Sequence, residues 1–213
     1  MENFTPLHQA NIITHVVAGS IALLIGLAII LISKGNQTHK KAGRFFLYLL
    51  CIVIFTGLMG VLAFGRHTFL LLITILSGYF GFSGYRTIQI KSNEVYWIDI
   101  VAGVLAIIIA GYYVYYMKKI GMFWKPVVTY STLGALFVVV SYDFLRYLIP
   151  KSKYRNLWFF EHIHKMFGAF TALLSAFAGT VFAHYQPYSQ LLPSVFGTLL
   201  QAGFIIYYAM KMS

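Results

Sequence analysis

Histidine and glycine recur four residues apart at three places in this 213-residue sequence. The pairs are His15 and Gly19, His39 and Gly43, and His164 and Gly168. Positions i and i+4 share one face of an α-helix, so each glycine lies one turn from an imidazole. A glycine there lets another helix, or the flat face of a cofactor, come close to the ligand nitrogen. The spacing therefore indicates histidine ligation of haem or of a redox metal, with ordinary small-residue packing between helices as the alternative.

The longest of these patterns begins at Glu161. On an ideal helix, His164 shares its face with Glu161 and with a run of small residues. These small residues are Gly168, Thr171 and Ser175. His162 lies about 200° around the helix from His164, so the two histidines cannot point into one site. Glu161 and His164 have the Glu-x-x-His spacing of carboxylate-bridged di-metal bundles, but those bundles need the motif twice and it occurs here once. We expect an inward-facing site at His164, with Glu161 orienting the imidazole.

The composition indicates that these residues lie in a membrane protein. Hydrophobic residues make up 60% of the chain, charged residues 10%, and the mean hydropathy is +0.77, whereas soluble domains carry about 25% charged residues. A helix needs about 20 apolar residues to cross the bilayer. Seven segments meet this requirement: 8–33, 43–65, 68–90, 97–117, 126–149, 156–185 and 191–210. The sequence therefore predicts an all-α integral membrane bundle of seven transmembrane helices, with residues 1–213 forming a single domain.

Lysine and arginine predict the orientation of this bundle. With the N-terminus outside, twelve of the 16 residues of these two types fall on the inner ends and loops. Positive charges favour the cytoplasmic side, so we expect an N-out, C-in, multi-pass protein of the bacterial inner membrane. The net charge of +11 is then explained by this bias and by attraction to anionic membrane lipids. We expect no nucleic-acid partner, because no soluble basic face is available to bind one.

This orientation sorts the histidines into two groups. The outer group is His8, His15, His67 and His184, and the inner group is His39, His162 and His164, accompanied by Glu94, Asp99, Asp143 and Glu161. An outer site would use His15 with His184 or His67. An inner site would use His164 with His39. His164 and His184 are about 30 Å apart along one helix, so we expect one cofactor, or two loosely coupled sites, rather than a tight relay.

Two of the charged residues near the inner surface come from one predicted helix. Asp143 and Arg146 are three residues apart, which places them on neighbouring positions of one helix face. We expect an ion pair within that helix, which makes both charges tolerable near the membrane interface.

Three functions fit these residues, and the sequence leaves open whether the protein is an enzyme. The first is a protein with haem b, or another iron or copper centre, held by neutral imidazoles and passing electrons to a partner. The second is a zinc-dependent hydrolase of membrane lipids, with His39, His164 and Glu161 at the metal site, His162 as a further ligand, and Glu161 or Asp143 activating water. Its usual histidine pair four residues apart is missing, which favours the first function. The third is a transporter or sensor in which the histidines titrate.

Four stretches together resemble a bacterial family of predicted polytopic membrane proteins, domain-of-unknown-function family 2306. They are HVVAGSIALLIG (15–26), KGNQTHKKAGRFF (34–46), SGYR (83–86) and EHIHKMFGAFTALLSAF (161–177). The resemblance spans nearly the whole chain. It implies an H-x-x-x-G opening, a K-G-x-x-x-H-x-x-x-G second motif, and a histidine followed by a basic residue and methionine, here His164, Lys165 and Met166; it implies no particular activity. Lys165 stands where we expect arginine, so bidentate binding to phosphate or propionate is lost.

Overall fold

The structure is a computed structural model that describes residues 5–65, 69–120 and 125–212. Within these ranges the chain is all-helical and has no β-strand, which confirms the predicted all-α class. The α-helices are α1 (Pro6–Leu31), α2 (Gln37–Leu62), α3 (Phe69–Ile90), α4 (Trp97–Ile120), α5 (Pro126–Leu145), α6 (Lys151–Tyr154), α7 (Leu157–Val181) and α8 (Tyr188–Met212). Short 3₁₀ helices follow α5 (Arg146–Leu148) and α7 (Ala183–Tyr185).

Each of the seven predicted segments falls on a helix of its own, and the short α6 is an addition in the link between α5 and α7. Five of the described helices, α1, α2, α4, α5 and α8, are long and apolar enough to cross a membrane. Many of their large hydrophobic side chains are exposed, among them Leu24, Ile108 and Phe196. Such surfaces suit contact with membrane lipids. The total of seven spans and the N-out orientation stay predictions.

The link between α1 and α2 shows how local sequence sets the helix ends. Asn36 is the N-cap of α2, and its side chain accepts a hydrogen bond from the backbone N–H of His39 at 2.7 Å. Lys34 donates to the carbonyls of Ile29 and Ile30 at 2.8 and 2.7 Å, at the C-terminal end of α1. A cation is favoured there because the last carbonyls of a helix have no helical partner. Burial lowers the pKa of the Lys34 ammonium.

The chain divides by its internal contacts into two compact units, residues 1–74 and 75–213; the single-domain organisation stays a prediction. In the first unit, α1 and α2 pack against each other. The buried small residues of α1 include Ala18, Ala22 and Gly26. A Cβ atom added to Gly19 would lie 3.8 Å from the Val53 side chain of α2. The small-residue stripe that follows His15 therefore serves helix packing.

The second unit is organised around α7, which contacts α3, α5 and α8. Against α8, four pairs follow one another along the two helices: His164 with Gln201, Thr171 with Gly197, Ser175 with Ser194, and Gly179 with Gln190. The partners on α8 are spaced four, three and four residues apart, the repeat of a helix-packing seam. The small polar stripe predicted on α7 is thus largely its contact surface for α8.

We expect Gly197→Ala to destabilise the protein by about 1–3 kcal/mol, because the added methyl group would overlap the Thr171 side chain. Thr171 cannot easily turn away, since its hydroxyl donates to the Phe167 carbonyl at 2.9 Å. Gly203→Ala, on the same helix, is the matched control: no heavy atom lies within 4 Å of the new methyl group. We expect it to be neutral, or stabilising by up to about 1 kcal/mol. Thermal unfolding of the detergent-solubilised protein measures both, and equal effects would refute the seam.

Candidate functional site: a buried charge cluster

Four charged side chains are buried together in the second unit. Asp143 and Arg146 come from the end of α5 and the 3₁₀ helix that follows it, and Glu161 and Lys165 come from the N-terminal half of α7. In this order the residues are 8, 3, 6 and 1% exposed. Charged side chains are almost never buried to this extent unless they are paired. We call these four residues the charge cluster.

Opposite charges in the cluster pair across the contact between α5 and α7. Lys165 Nζ donates to Asp143 Oδ1 at 2.5 Å and lies 3.6 Å from Glu161 Oε2. Arg146 Nη1 donates to the same Glu161 oxygen at 3.4 Å. The structure therefore corrects the predicted ion pair between Asp143 and Arg146. Both side chains reach to α7 instead, because pairing across a buried interface neutralises the charges of both helices at once.

Tyrosine hydroxyls complete the hydrogen bonding of the two carboxylates. Tyr79 on α3 donates to Asp143 Oδ2 at 3.0 Å, and Tyr142 on α5 donates to Glu161 Oε1 at 2.5 Å. With the bonds from lysine and arginine, all four carboxylate oxygens accept at least one hydrogen bond. Glu161 is therefore held by the cluster rather than in the predicted position of an orienting group for His164. The carboxylates of this buried network are thus satisfied, which makes them costly to disrupt, whereas Arg146 Nε and the neighbouring Tyr154 hydroxyl are buried without a hydrogen-bond partner.

The two cations also have neutral acceptors. Lys165 Nζ donates to Thr87 Oγ1 on α3 at 3.2 Å, and Arg146 Nη2 donates to the backbone carbonyl of Glu94 at 3.1 Å. Gly84 allows this approach of α3, because a Cβ atom at that position would lie 3.0 Å from Lys165 Cβ. The cluster is thus enclosed by α3 and by the loop before α4 as well as by α5 and α7.

The four carboxylates predicted near the inner surface have separate roles in this unit. Asp143 and Glu161 belong to the cluster, and Glu94 adjoins it through its backbone carbonyl. Asp99, in the first turn of α4, forms an ion pair with Arg86 at 2.8 Å. These contacts bring the C-terminal ends of α3 and α5 together with the N-terminal ends of α4 and α7.

Tyr154 of α6 lies beside the cluster. Its side chain is fully buried, although its neighbours in α6 are exposed. Burial, and then the Glu161 carboxylate, raise the pKa of the Tyr154 phenol, which therefore stays protonated. The short α6 is thus attached to the cluster by one aromatic side chain.

The two histidines of α7 point to different neighbours, which confirms the prediction from their spacing. His162 Nδ1 donates to the Gly84 carbonyl of α3 at 3.1 Å. His164 Nδ1 lies 2.8 Å from the side-chain nitrogen of Gln201 on α8. Because an amide nitrogen only donates, His164 Nδ1 accepts and the ring proton is on Nε2. In this arrangement neither nitrogen of His164 offers a lone pair to a metal.

Gly168 does not leave open space beside His164. A Cβ atom at this position would overlap the ring of Phe80 on α3, and the same ring contacts His164 edge-on, with 5.7 Å between ring centroids. The glycine therefore accommodates an aromatic side chain of a neighbouring helix. This is the packing alternative for the H-x-x-x-G pattern at His164.

His15, in the first unit, has the opposite tautomer. The Thr56 hydroxyl donates to the Ile52 carbonyl at 2.7 Å, so its proton is already used. His15 Nδ1, 2.8 Å from the same hydroxyl oxygen, must then be the donor. The neutral ring keeps its lone pair on Nε2, which is how a metal-binding imidazole is prepared when its other nitrogen is fixed by a hydrogen bond.

The remaining predicted ligands differ in their surroundings, and the Nδ1 atom of His39 is buried without a hydrogen-bond partner. His39 lies at the start of α2 and is partly exposed, and His184 is exposed in the 3₁₀ helix after α7. Gly43 has no heavy atom within 4 Å of the position where a Cβ would lie. His67 lies outside the described residues. Across the described ranges, no group of three or more histidine, cysteine, aspartate or glutamate side chains could hold a metal ion. The zinc site predicted at His39, His164 and Glu161 gains no support.

Comparison of the chain with protein-family models, with curated proteins and with solved structures gives no match. The resemblance to domain-of-unknown-function family 2306 therefore stays a prediction. In the part of the chain that the structure describes, the fold and the site are those of a helical protein with five span-length helices and a buried, charge-balanced cluster.

Reasoning from sequence finds three members of the cluster and misses their partners. Asp143, Arg146 and Glu161 are predicted near one membrane surface, but Lys165 is not recognised as the group that joins them. Tyr79 and Tyr142 carry no signal among 16 tyrosines. One signal is present: Glu161 and Lys165 are four residues apart and hence neighbours on a helix. A second pair of opposite charges, Asp143 and Arg146, lies near the end of the preceding long predicted helix, so the two pairs could face each other.

We expect Lys165→Met to destabilise the protein by about 3–5 kcal/mol, because it leaves the Asp143 carboxylate buried without its cation. The double variant Lys165→Met/Asp143→Asn should recover part of this loss. Lys151→Met is the control: Lys151 also pairs with a carboxylate, at 3.5 Å, but its side chain is 80% exposed. We expect less than about 1 kcal/mol there. Unfolding of the three variants in detergent measures the effects. A double variant less stable than Lys165→Met would contradict the pairing.

Proposed function

We propose that this chain is a multi-pass protein of the bacterial cytoplasmic membrane that works as a transporter or sensor, with the charge cluster as its proton-responsive part. Seven helices span the membrane in this proposal, and the chain runs from an external N-terminus to a cytoplasmic C-terminus. Five span-length helices and the asymmetry of lysine and arginine support this topology. The observation that carries the function is the burial of Lys165 within reach of two carboxylates.

The cluster can change its pairing without leaving a cation unpaired. A proton gained by Asp143 removes the carboxylate that holds Lys165 at 2.5 Å. Lys165 then turns to Glu161, now 3.6 Å away, and competes with Arg146 for it. Arg146 keeps the Glu94 carbonyl as an acceptor. Two arrangements in which every cation has a partner are the basis of a two-state element that a single proton biases.

Such a change moves helices as well as protons. Asp143 and Arg146 belong to α5 and to the 3₁₀ helix that continues it, whereas Glu161 and Lys165 belong to α7, so exchange of partners shifts one helix against the other. The hydroxyls of Tyr79 and Tyr142 also face the carboxylates and follow the same change. Ionisable groups buried in membrane helices commonly mark ion pathways or proton relays. The geometry supports this class of function better than zinc hydrolysis, because both cluster carboxylates and His164 are already held by other side chains.

We expect Asp143→Asn at neutral pH to reproduce the conformation that the unchanged protein adopts on acidification, because the amide has the shape of the protonated acid without its charge. Hydrogen–deuterium exchange of peptides from α5 and α7 measures this, with exchange times scaled for the pH dependence of the intrinsic exchange rate. The unchanged protein should exchange faster in these peptides on acidification. Asp143→Asn should exchange faster already at neutral pH and respond less to acid.

The matched control is Glu94→Gln, which removes an exposed carboxylate at the same end of the unit. It should retain the full response to acid. If peptides of α5 and α7 exchange equally at neutral and acid pH in the unchanged protein, the proton-responsive role is ruled out. If Glu94→Gln abolishes the response, the responsive group lies outside the charge cluster.

A second candidate function rests on His15. We infer that the lone pair on His15 Nε2 serves as a ligand to haem b iron or to another redox metal, in electron transfer with a membrane partner. The bound metal would supply one-electron chemistry. The chain would supply the tautomer, since Thr56 fixes the proton on Nδ1. Gly19 offers no macrocycle space in this arrangement because Val53 packs there, so the support is confined to the ring nitrogen.

Absorption spectroscopy and elemental analysis of the purified protein test this second function. We expect the protein to contain iron and show a Soret band, or to contain stoichiometric copper. The metal should be lost in His15→Ala, and Thr56→Val should bind it about 10- to 100-fold more weakly. His162→Ala is the control and should retain the metal. Iron or copper that persists in His15→Ala would exclude His15 as ligand. Stoichiometric zinc without colour would instead favour the hydrolase.

A further inference from the structure

Three exposed cations surround one buried aromatic side chain in the link between α5 and α7. Residues 151–155 read KSKYR, and Lys151, Lys153 and Arg155 are all exposed, whereas Tyr154 is only 2% exposed. Glu94 is the carboxylate paired with Lys151, at 3.5 Å, and it is itself 54% exposed. A pair this exposed is weak and screened by salt. The segment 151–155, which we call the basic segment, therefore carries an excess of positive charge.

The residues around the basic segment are of types that are enriched at the depth of lipid headgroups. Trp158 lies three residues after it, in the first turn of α7, and Lys91 Nζ lies 5.0 Å from the centre of the Trp158 ring. Trp97, at the start of α4, is largely exposed. Tryptophan is enriched at membrane–water interfaces, and lysine and arginine beside it extend their charges toward the headgroups. These neighbours favour a position for the cations where negatively charged lipid phosphates are concentrated.

Tyr154 connects this surface to the charge cluster. It belongs to the same five residues as the exposed cations, but its side chain is buried beside Arg146 and Glu161, and its hydroxyl forms no hydrogen bond of its own. A displacement of the basic segment therefore changes the surroundings of two cluster residues. The Tyr154 side chain is almost completely buried, so its surroundings are protein and not solvent.

We propose that the basic segment binds the phosphate-bearing headgroups of anionic phospholipids, and that Tyr154 transmits their binding to the charge cluster. The binding step depends only on the surface described above, whereas the transmission step rests on the proposed function of the cluster. The occupant follows from charge complementarity and from the interfacial tryptophan beside the segment. The content of anionic lipid in the inner leaflet would then regulate the pairing within the charge cluster.

Native mass spectrometry of the full-length, detergent-solubilised protein tests the binding step. The protein is titrated with phosphatidylglycerol and, separately, with phosphatidylcholine. The triple variant Lys151→Gln/Lys153→Gln/Arg155→Gln should bind phosphatidylglycerol roughly a hundredfold more weakly, since each cation near the surface contributes about a factor of five. Lys118→Gln/Lys119→Gln, at the C-terminal end of α4, is the control for general loss of positive charge and should change this affinity little. Unaltered unfolding temperatures in phosphatidylcholine show that both variants are folded.

Hydrogen–deuterium exchange tests the transmission step. Phosphatidylglycerol should change exchange in α5 and α7 of the unchanged protein. Tyr154→Phe should bind the lipid equally well but lose most of this change, because it retains the packed ring and lacks the hydroxyl beside Glu161. Equal affinity of the triple variant and the unchanged protein for phosphatidylglycerol would overturn the binding site. Competition by inorganic phosphate at the same concentration as lipid would also overturn it, in favour of a soluble anion.

The two proposals can fail separately. If lipid binding is lost in the triple variant, but acid has no effect on α5 and α7 of the unchanged protein, the lipid surface stands and the proton-responsive role of the cluster falls. If Tyr154→Phe retains the full lipid-induced change in exchange, the transmission step falls while the lipid surface stands. If the unchanged protein responds normally to acid but the triple variant keeps its affinity for phosphatidylglycerol, the proton-responsive role of the cluster stands and the lipid surface falls.

Discussion

Neutralising the buried ammonium of Lys165 is the constraint on which the second unit depends. Moving a charge out of water costs several kcal/mol even after the protein has relaxed around it, and only well-placed partners offset that cost. Here the partners come from three helices: Asp143 from α5, Thr87 from α3 and Glu161 from the preceding turn of α7. Each helix must therefore present one particular face to the lysine. The tyrosines follow from the same requirement, because a carboxylate that binds one cation still has oxygens to satisfy.

The helices of this protein could be predicted from sequence because their signals are local. Long apolar runs fix where a helix must lie, and residues such as Asn36 and Pro126 fix where it begins. The all-α class follows directly. Pairing between helices has no such local signal. Asp143 has a cation three residues away in its own helix, yet it pairs with one 22 positions later, and nothing in the spacing of a single helix shows which neighbour will face it.

The histidines show a second limit on prediction. Imidazole followed by glycine at helical spacing suits a metal site and suits close helix packing equally well, so residue type does not separate the two. The difference lies in the hydrogen bond at the other ring nitrogen. Thr56 leaves His15 with a lone pair on Nε2, whereas Gln201 places the proton of His164 there. Both partners lie on other helices, 41 and 37 residues away along the chain, and only the folded arrangement reveals them.

The contact between α7 and α8 has a consequence for how the last helix is seated. Most of α8 is exposed, and Gln190 is its buried residue among those described. Its attachment to α7 includes the line of four pairs described above and two aromatic pairs, Phe167 with Phe204 and Phe159 with Tyr208, whose ring centroids lie 5.4 and 5.3 Å apart. Rotating α8 by one residue, about 100°, would turn every member of that line away from α7 at once. The line therefore sets the rotation of α8 about its own axis: the four pairs form together in one orientation, and a turn of one residue would break all of them.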